Sequence, residues 1–230
     1  MSYEQENQFE PKLVCNKGNM ILNEFFITDT LEKAYNLNFD FKKLDPSKVN
    51  IKVLLSPSIY ELIEQVTPDL VEKIYILNIL NENDTDVCIL LKSFGKEVGI
   101  KPKYMMFRTS RTINFFSNTM HFYNKDITLI DPSKELLNKY LKQIELDTNK
   151  YEPIIFNYGK TLINLYNLEP QELLRLNNNQ PLTSIVDINF SIDFIATLED
   201  DLPIYMQNII GLMFKKIFYN LKQFIDNLNV

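Results

Sequence analysis

Residues Val186 to Phe194 alternate without a break. Val186, Ile188, Phe190, Ile192 and Phe194 are apolar, and Asp187, Asn189, Ser191 and Asp193 between them are polar. A period of two, with β-branched and aromatic residues on the apolar side, defines a half-buried antiparallel strand. The segment after it narrows the fold further. Glu199, Asp200 and Asp201 place a cap and negative charge at the start of a helix, and Pro203 sits where a missing N–H costs nothing. From there Met206, Ile210, Met213, Phe214, Ile217, Phe218, Leu221, Phe224, Ile225 and Leu228 recur at helical spacing. Lys215, Lys216, Tyr219, Asn220, Lys222, Gln223, Asp226 and Asn227 fill the opposite face. A helix of about 26 residues spans roughly 39 Å, enough to cross a small domain. The expected fold class is therefore α+β: a curved antiparallel sheet gripping a long C-terminal helix.

The rest of the chain supplies the sheet. Met20 to Thr28 reads as a strand, and Asp29 with Glu32 three residues on forms a capping box for a short helix through Tyr35. Asp45-Pro46-Ser47 is a turn, and Val49 to Leu55 reads as a short strand. A second short helix comes after Ser56-Pro57, with Ile59, Leu62, Ile63 and Val66 as its apolar stripe. Val71–Leu80 and Asp86–Phe94 form one hairpin, Tyr104–Phe116 and Thr119–Ile130 a second. Asp131-Pro132 opens an inserted helix near 132–145, with Leu136, Leu137, Tyr140, Leu141 and Ile144 inward. Pro153–Tyr166 reads as two short strands broken at Gly159, and Glu169–Leu176 as a weak helix. No internal repeat and no linker rich in Pro, Gly or Ser divides the chain. Residues 11–230 are expected to be a single α+β domain behind a flexible N-terminus of residues 1–10.

The order of strand, two short helices, antiparallel strands and long C-terminal helix, ending in Thr183–Phe194 and Leu202–Ile225, resembles the helix-grip fold of the START and Bet v 1-like superfamily. The pattern is most similar to StART-like, VASt-type lipid domains, whose capped helix after the first strand matches Asn23–Tyr35 and whose Pro-Lys before a central strand matches Pro102-Lys103. The resemblance implies an apolar ligand, a lipid or sterol, between sheet and helix. One fold hosts many activities, so function must be argued from the site.

Enzyme chemistry finds little to work with, and a non-enzymatic protein without a cofactor is expected. His121 is the single histidine; on a strand it is expected to be a hydrogen-bonded structural imidazole. Asp187 and Asp193 are six residues apart on one strand, about 20 Å, too far for paired carboxylate catalysis. Gly159-Lys160-Thr161 lacks the upstream glycine of a phosphate loop, and no GxGxxG, HExxH or CxxC occurs. Cys15 and Cys88 are too few and too far apart for a disulfide framework or a zinc site. The polar start of the chain contains no apolar signal segment, and no apolar run reaches the roughly 20 residues of a membrane span. A cytoplasmic protein is expected. Its net charge of −6 gives no global footprint for nucleic acid.

Two groups of residues carry the binding expectations. Met105, Phe107, Met206, Ile210, Met213 and Ile217 would face one another across the interior as a ligand-binding lining; the same residues would serve equally as core filler. Lys101, Lys103, Arg108 and Arg111, with Lys96 nearby and aromatic residues interleaved, would meet an anionic membrane surface, an acidic partner or single-stranded nucleic acid; alternatively they are a solvated strand face. A different class of function stays open beside ligand binding: a structural or adaptor subunit, including one of a virus, that acts through its surface on a protein partner.

Overall fold

The computed structural model describes residues 11–26, 33–94, 99–178, 180–197 and 208–230. Its strands are β1 (Lys12–Lys17), β2 (Met20–Phe26), β3 (Lys33–Leu44), β4 (Val71–Ile79), β5 (Asp84–Leu91), β6 (Lys103–Asn114), β7 (Thr119–Asp126), β8 (Glu152–Pro153), β9 (Ile155–Tyr166) and β10 (Val186–Thr197). They form one sheet in the order β1-β2-β3-β10-β9-β7-β6-β5-β4, antiparallel throughout. The two-residue β8 adds a parallel pairing to the start of β6, beyond the point where β7 ends. The helices are α1 (Ile51–Leu54), α2 (Ile59–Val66), α3 (Ile127–Ile130), α4 (Glu135–Gln143), α5 (Pro170–Asn177) and α6 (Ile209–Leu228).

Strand β10 sits in the middle of this sheet, between β3 and β9, and buries every second residue from Val186 to Ala196 as its alternation requires. That face carries the main core. Helix α6 lies across it, with Ile210, Met213, Ile217, Leu221 and Ile225 buried. Aromatic contacts join the two layers: Phe214 meets Phe194 at 4.5 Å between ring centroids and Phe218 meets Phe39 at 5.7 Å. Both ends of α6 are tied to β3. Asn208 accepts from Lys33 Nζ at 2.9 Å, and Asn229 donates to the Lys43 carbonyl at 3.1 Å while accepting from the Asp45 amide at 2.9 Å. Helix α2 completes the layer beside α6, where Lys216 forms an ion pair with Asp69. The opposite face of the sheet has its own smaller core, in which Leu77, Cys88, Leu90, Tyr104 and Met106 pack under Tyr140 of α4. The inserted helix is thus present as α4 and covers the outer face.

Three local expectations are corrected. Residues 33–44 are a twelve-residue strand where a helix through Tyr35 was expected, because Tyr35, Leu37, Phe39 and Phe41 alternate with Asn36, Asn38, Asp40 and Lys42 and all four apolar members are buried. The capping box Asp29–Glu32 lies outside the described residues. Ile51–Leu54 is helical, not a strand: Asp45 turns the chain by accepting from Ser47 and Lys48, and Ile51, Leu54 and Leu55 are then buried at helical spacing. Strand β9 runs unbroken through Gly159. There the Phe156 ring leaves no room for a side chain, since a Cβ would lie 2.3 Å from it. Helix α6 is described from Ile209, so its expected start at Pro203, the acidic residues 199–201 and Met206 lie outside the described residues, as do residues 1–10.

Candidate functional site

Where α2 and α6 meet over the sheet, the core leaves a cavity of about 80 Å³. That is room enough for water, yet an apolar wall offers water too few partners to hold it. The wall is built from three directions. Met105, Phe107, Phe122, Ile163 and Ile192 rise from the sheet, Ile59, Tyr60 and Ile63 come from α2, and Phe214, Ile217 and Phe218 come down from α6. Each sheet residue is there by strand parity, being one of the inward set on its own strand. Among the described residues, the polar side chains of the wall are those of Tyr60, Asn124 and Thr161. The Tyr60 hydroxyl donates to Asn124 Oδ1 at 3.4 Å, a long hydrogen bond. Burial pushes the Tyr60 phenol up to about 12, against a lowering by its hydrogen bond with the Thr109 hydroxyl. Among the described residues no charged side chain, histidine or cysteine is part of the wall, and no cluster of His, Cys, Asp and Glu is arranged to hold a metal.

Of the lining expected from the sequence, Met105, Phe107 and Ile217 are brought together on this wall. Ile210 and Met213 are buried in the same core but outside the wall, and Met206 lies outside the described residues. Met106, one residue from Met105, points to the outer core under α4. Sequence reasoning missed the contributions of Tyr60 and Asn124, which meet only because α2 crosses the sheet above β7.

The basic residues do not form one surface. Lys103 is 1% exposed, and its ammonium lies 2.7 Å from Glu152, which Lys101 also pairs at 2.9 Å. Arg108 makes a two-pronged contact with the wholly buried Asp86, at 2.7 and 2.9 Å, and Tyr140 donates to the same carboxylate at 2.6 Å. Arg111, 4% exposed, donates through Nε to Asn83 Oδ1, and burial lowers its basicity. Arg108 and Arg111 are three apart on a strand and so point to opposite faces. The expected patch is corrected on this ground: two of its four cations are inside the protein, and three are held by carboxylates. Lys96 lies outside the described residues.

His121 departs from expectation in another way. Its ring stacks on Tyr123 at 5.8 Å, but Nδ1 is buried without a hydrogen-bond partner among the described residues, and burial, with Lys160 adding, lowers its pKa. Helix α6 also hides more than its apolar stripe. Lys215 reaches the Cys15 thiol at 2.9 Å, and Lys222 lies over the Phe41 ring at 5.1 Å. Both lysines are over nine-tenths buried.

The fold defined by this sheet and α6 is the helix-grip fold of START lipid-transfer domains. The human StarD13 (DLC2) lipid transfer and protein localization domain superposes with a TM-score of 0.61 at 8% identity, over 96% of this chain and 90% of that one. Human StAR-related lipid transfer protein 5 gives 0.60 at 9% identity, over 99% and 89%. A STAR-related lipid transfer protein from Xanthomonas axonopodis gives 0.55 at 12%, over 96% and 99%. At such identities the likeness is one of fold. No sequence-family model matches the chain, and no curated protein matches it by sequence. Among the described residues no helix is long and apolar enough to cross a membrane.

Proposed function

We propose that this protein binds an apolar small molecule between the inner face of its sheet and the α2–α6 layer, and does so without catalysing a reaction. The observation that carries this reading is the cavity itself. A native core is close-packed, so an apolar space walled by three layers of side chains, beneath the helix that closes the fold, is a place where a ligand gains contacts that the protein alone lacks. The shared fold with proteins named for lipid transfer supports it. At 80 Å³ the space is well under the roughly 300–1,000 Å³ of sites for drug-sized ligands. A short chain or small ring fits with little change, whereas a whole lipid or sterol requires wall residues to move. Among the described residues no nucleophile–base pair and no metal-binding group borders the space, which is why binding alone is proposed.

The test is titration with the neutral fluorophore N-phenyl-1-naphthylamine. Wild-type protein should enhance its emission saturably, and Ile217→Phe, which fills the space from α6, should weaken binding at least tenfold while keeping its circular dichroism. Equal binding by both proteins would place the probe elsewhere and remove the proposal.

A further inference from the structure

We infer that Cys15 and Lys215 form an oxidation-sensitive staple: a peroxide converts the Cys15 thiol to a sulfenic acid, and the Lys215 amine condenses with it to a reducible sulfur–nitrogen bond between β1 and α6. The observation that carries this is the 2.9 Å approach of Lys215 Nζ to Cys15 Sγ, across 200 residues of chain.

The contact is built from both sides. β1 and β2 form the hairpin at one end of the sheet, and their register shifts between Leu13 and Cys15. A bulge re-aims side chains. Here Val14 and Cys15, neighbours that strict alternation would send to opposite faces, both pack against the main core. One turn further along α6 the end of the same hairpin presses on Tyr219. Gly18, at φ 63°, lies so close to that ring that a Cβ would sit 2.3 Å from it. The hairpin thus meets α6 at two successive turns, and Lys215 is only 6% exposed.

Lys215 differs from the other lysines of its helix. Lys216 and Lys222 pair with Asp69 and Asp226, whereas Lys215 has no carboxylate among the described residues and reaches only the thiol. A buried cation is ordinarily paired with an anion. A half-buried thiol beside an ammonium is the kind that reacts with peroxides. The sulfur attacks one peroxide oxygen, the O–O bond breaks, and water leaves as Cys15 becomes the sulfenic acid, a two-electron oxidation. A sulfenic acid condenses with a thiol or a nitrogen within reach. Cys88, the second of the chain's two cysteines, is fully buried in the core on the other face of the sheet, and burial pushes its thiol up to about 12. Lys215 is therefore the nucleophile in place. Its nitrogen bonds to the sulfur as the S–O bond breaks. The hydroxyl leaves as water with one ammonium proton, and a second proton passes to solvent.

The test treats the intact, reduced chain with hydrogen peroxide at mildly alkaline pH and maps its peptides by mass spectrometry. Wild type should yield the Cys15 and Lys215 peptides joined, lighter than the separate pair by two hydrogen atoms, and dithiothreitol should restore both. Cys15→Ser should yield no joined peptide. Lys215→Met keeps the buried stem without the amine and should carry Cys15 on to the sulfinic and sulfonic acids, because nothing traps the sulfenic acid. The joined wild type closes a loop of 200 residues and should unfold at a higher urea midpoint than the reduced protein. The wild-type digest is decisive even where a variant fails to fold. Cys15 left unmodified, over-oxidised without a joined peptide, or recovered only as a disulfide between two copies of the chain would overturn the inference. So would a joined pair that retains the peroxide oxygen, or a joined protein no more resistant to urea than the reduced one.

Discussion

Gly211 of α6 lies against the Tyr35 ring of β3 so closely that a Cβ at that position would sit 2.6 Å from two ring carbons. This close approach comes one turn before Phe214 stacks into the aromatic layer of Phe156 and Phe194. Tyr35 cannot yield, because it is 1% exposed and stacked on Phe194 at 5.3 Å. Gly211→Val should therefore cost about 1–3 kcal/mol through overpacking, read as a drop in the urea midpoint. Leu212→Ala, at an exposed neighbouring position, should stay within about 0.5 kcal/mol.

Asp86 is fully buried and depends on Arg108 and Tyr140 for its hydrogen bonds. Arg108→Met leaves that carboxylate without its cation and should cost about 3–5 kcal/mol in denaturant unfolding. Lys101→Ala removes an exposed partner of a partly exposed Glu152 and should cost under about 1 kcal/mol. Equal effects would contradict the placement of Arg108 against the outer core.

Stability should fall in alkali. The phenols of Tyr35, Tyr60 and Tyr140 are each pushed up to about 12, first by burial, with Glu24 adding at Tyr35 and Asp86 at Tyr140. Below pH 10, the ordinary phenol value, they are neutral in the folded and unfolded chains, and their contribution is fully present. Between about 10 and 12 the unfolded chain gives up these protons while the folded chain keeps them, so stability is lost as pH rises through that window. Urea midpoints at pH 9 and pH 11 measure it, and Tyr35→Phe should flatten the fall.

Added volume should be tolerated on the cavity wall and resented next to it. Ile217→Phe grows into empty space and should cost less than about 1.5 kcal/mol, whereas Met213→Trp, buried outside the wall, should cost about 1–3 kcal/mol or more. The reverse order would mean that the space lies elsewhere.

How much of the fold and the site was legible in the sequence depended on whether a signal was local. β5 and the start of β6 are buried on both faces, but β10 shows one polar and one apolar face along its length, and that pattern is visible in the sequence alone. β3 carries the same alternation from Tyr35 to Phe41, but the capping signal at Asp29 and Glu32 competed with it, and local rules do not rank themselves. Ile51 and Val53 are β-branched, yet burial at helical spacing outweighed their strand preference. In the site, Met105, Phe107 and Ile217 could be named from periodicity alone. Tyr60 and Asn124 could not, because their meeting depends on the path of α2 over the sheet. The basic residues are the opposite case. Parity along β6 is a local signal, and it is enough to separate Arg108 from Arg111.

The most direct measurement is where an added ligand sits. Methyl-labelled protein saturated with 1-octanol should show intermolecular NOEs from the alkyl chain to the methyls of Ile192, Ile217 and Met105, which line the cavity from sheet and helix alike. NOEs confined to exposed methyls such as those of Leu13 and Ile79, or none at all at saturation, would contradict a ligand site between the sheet and α6.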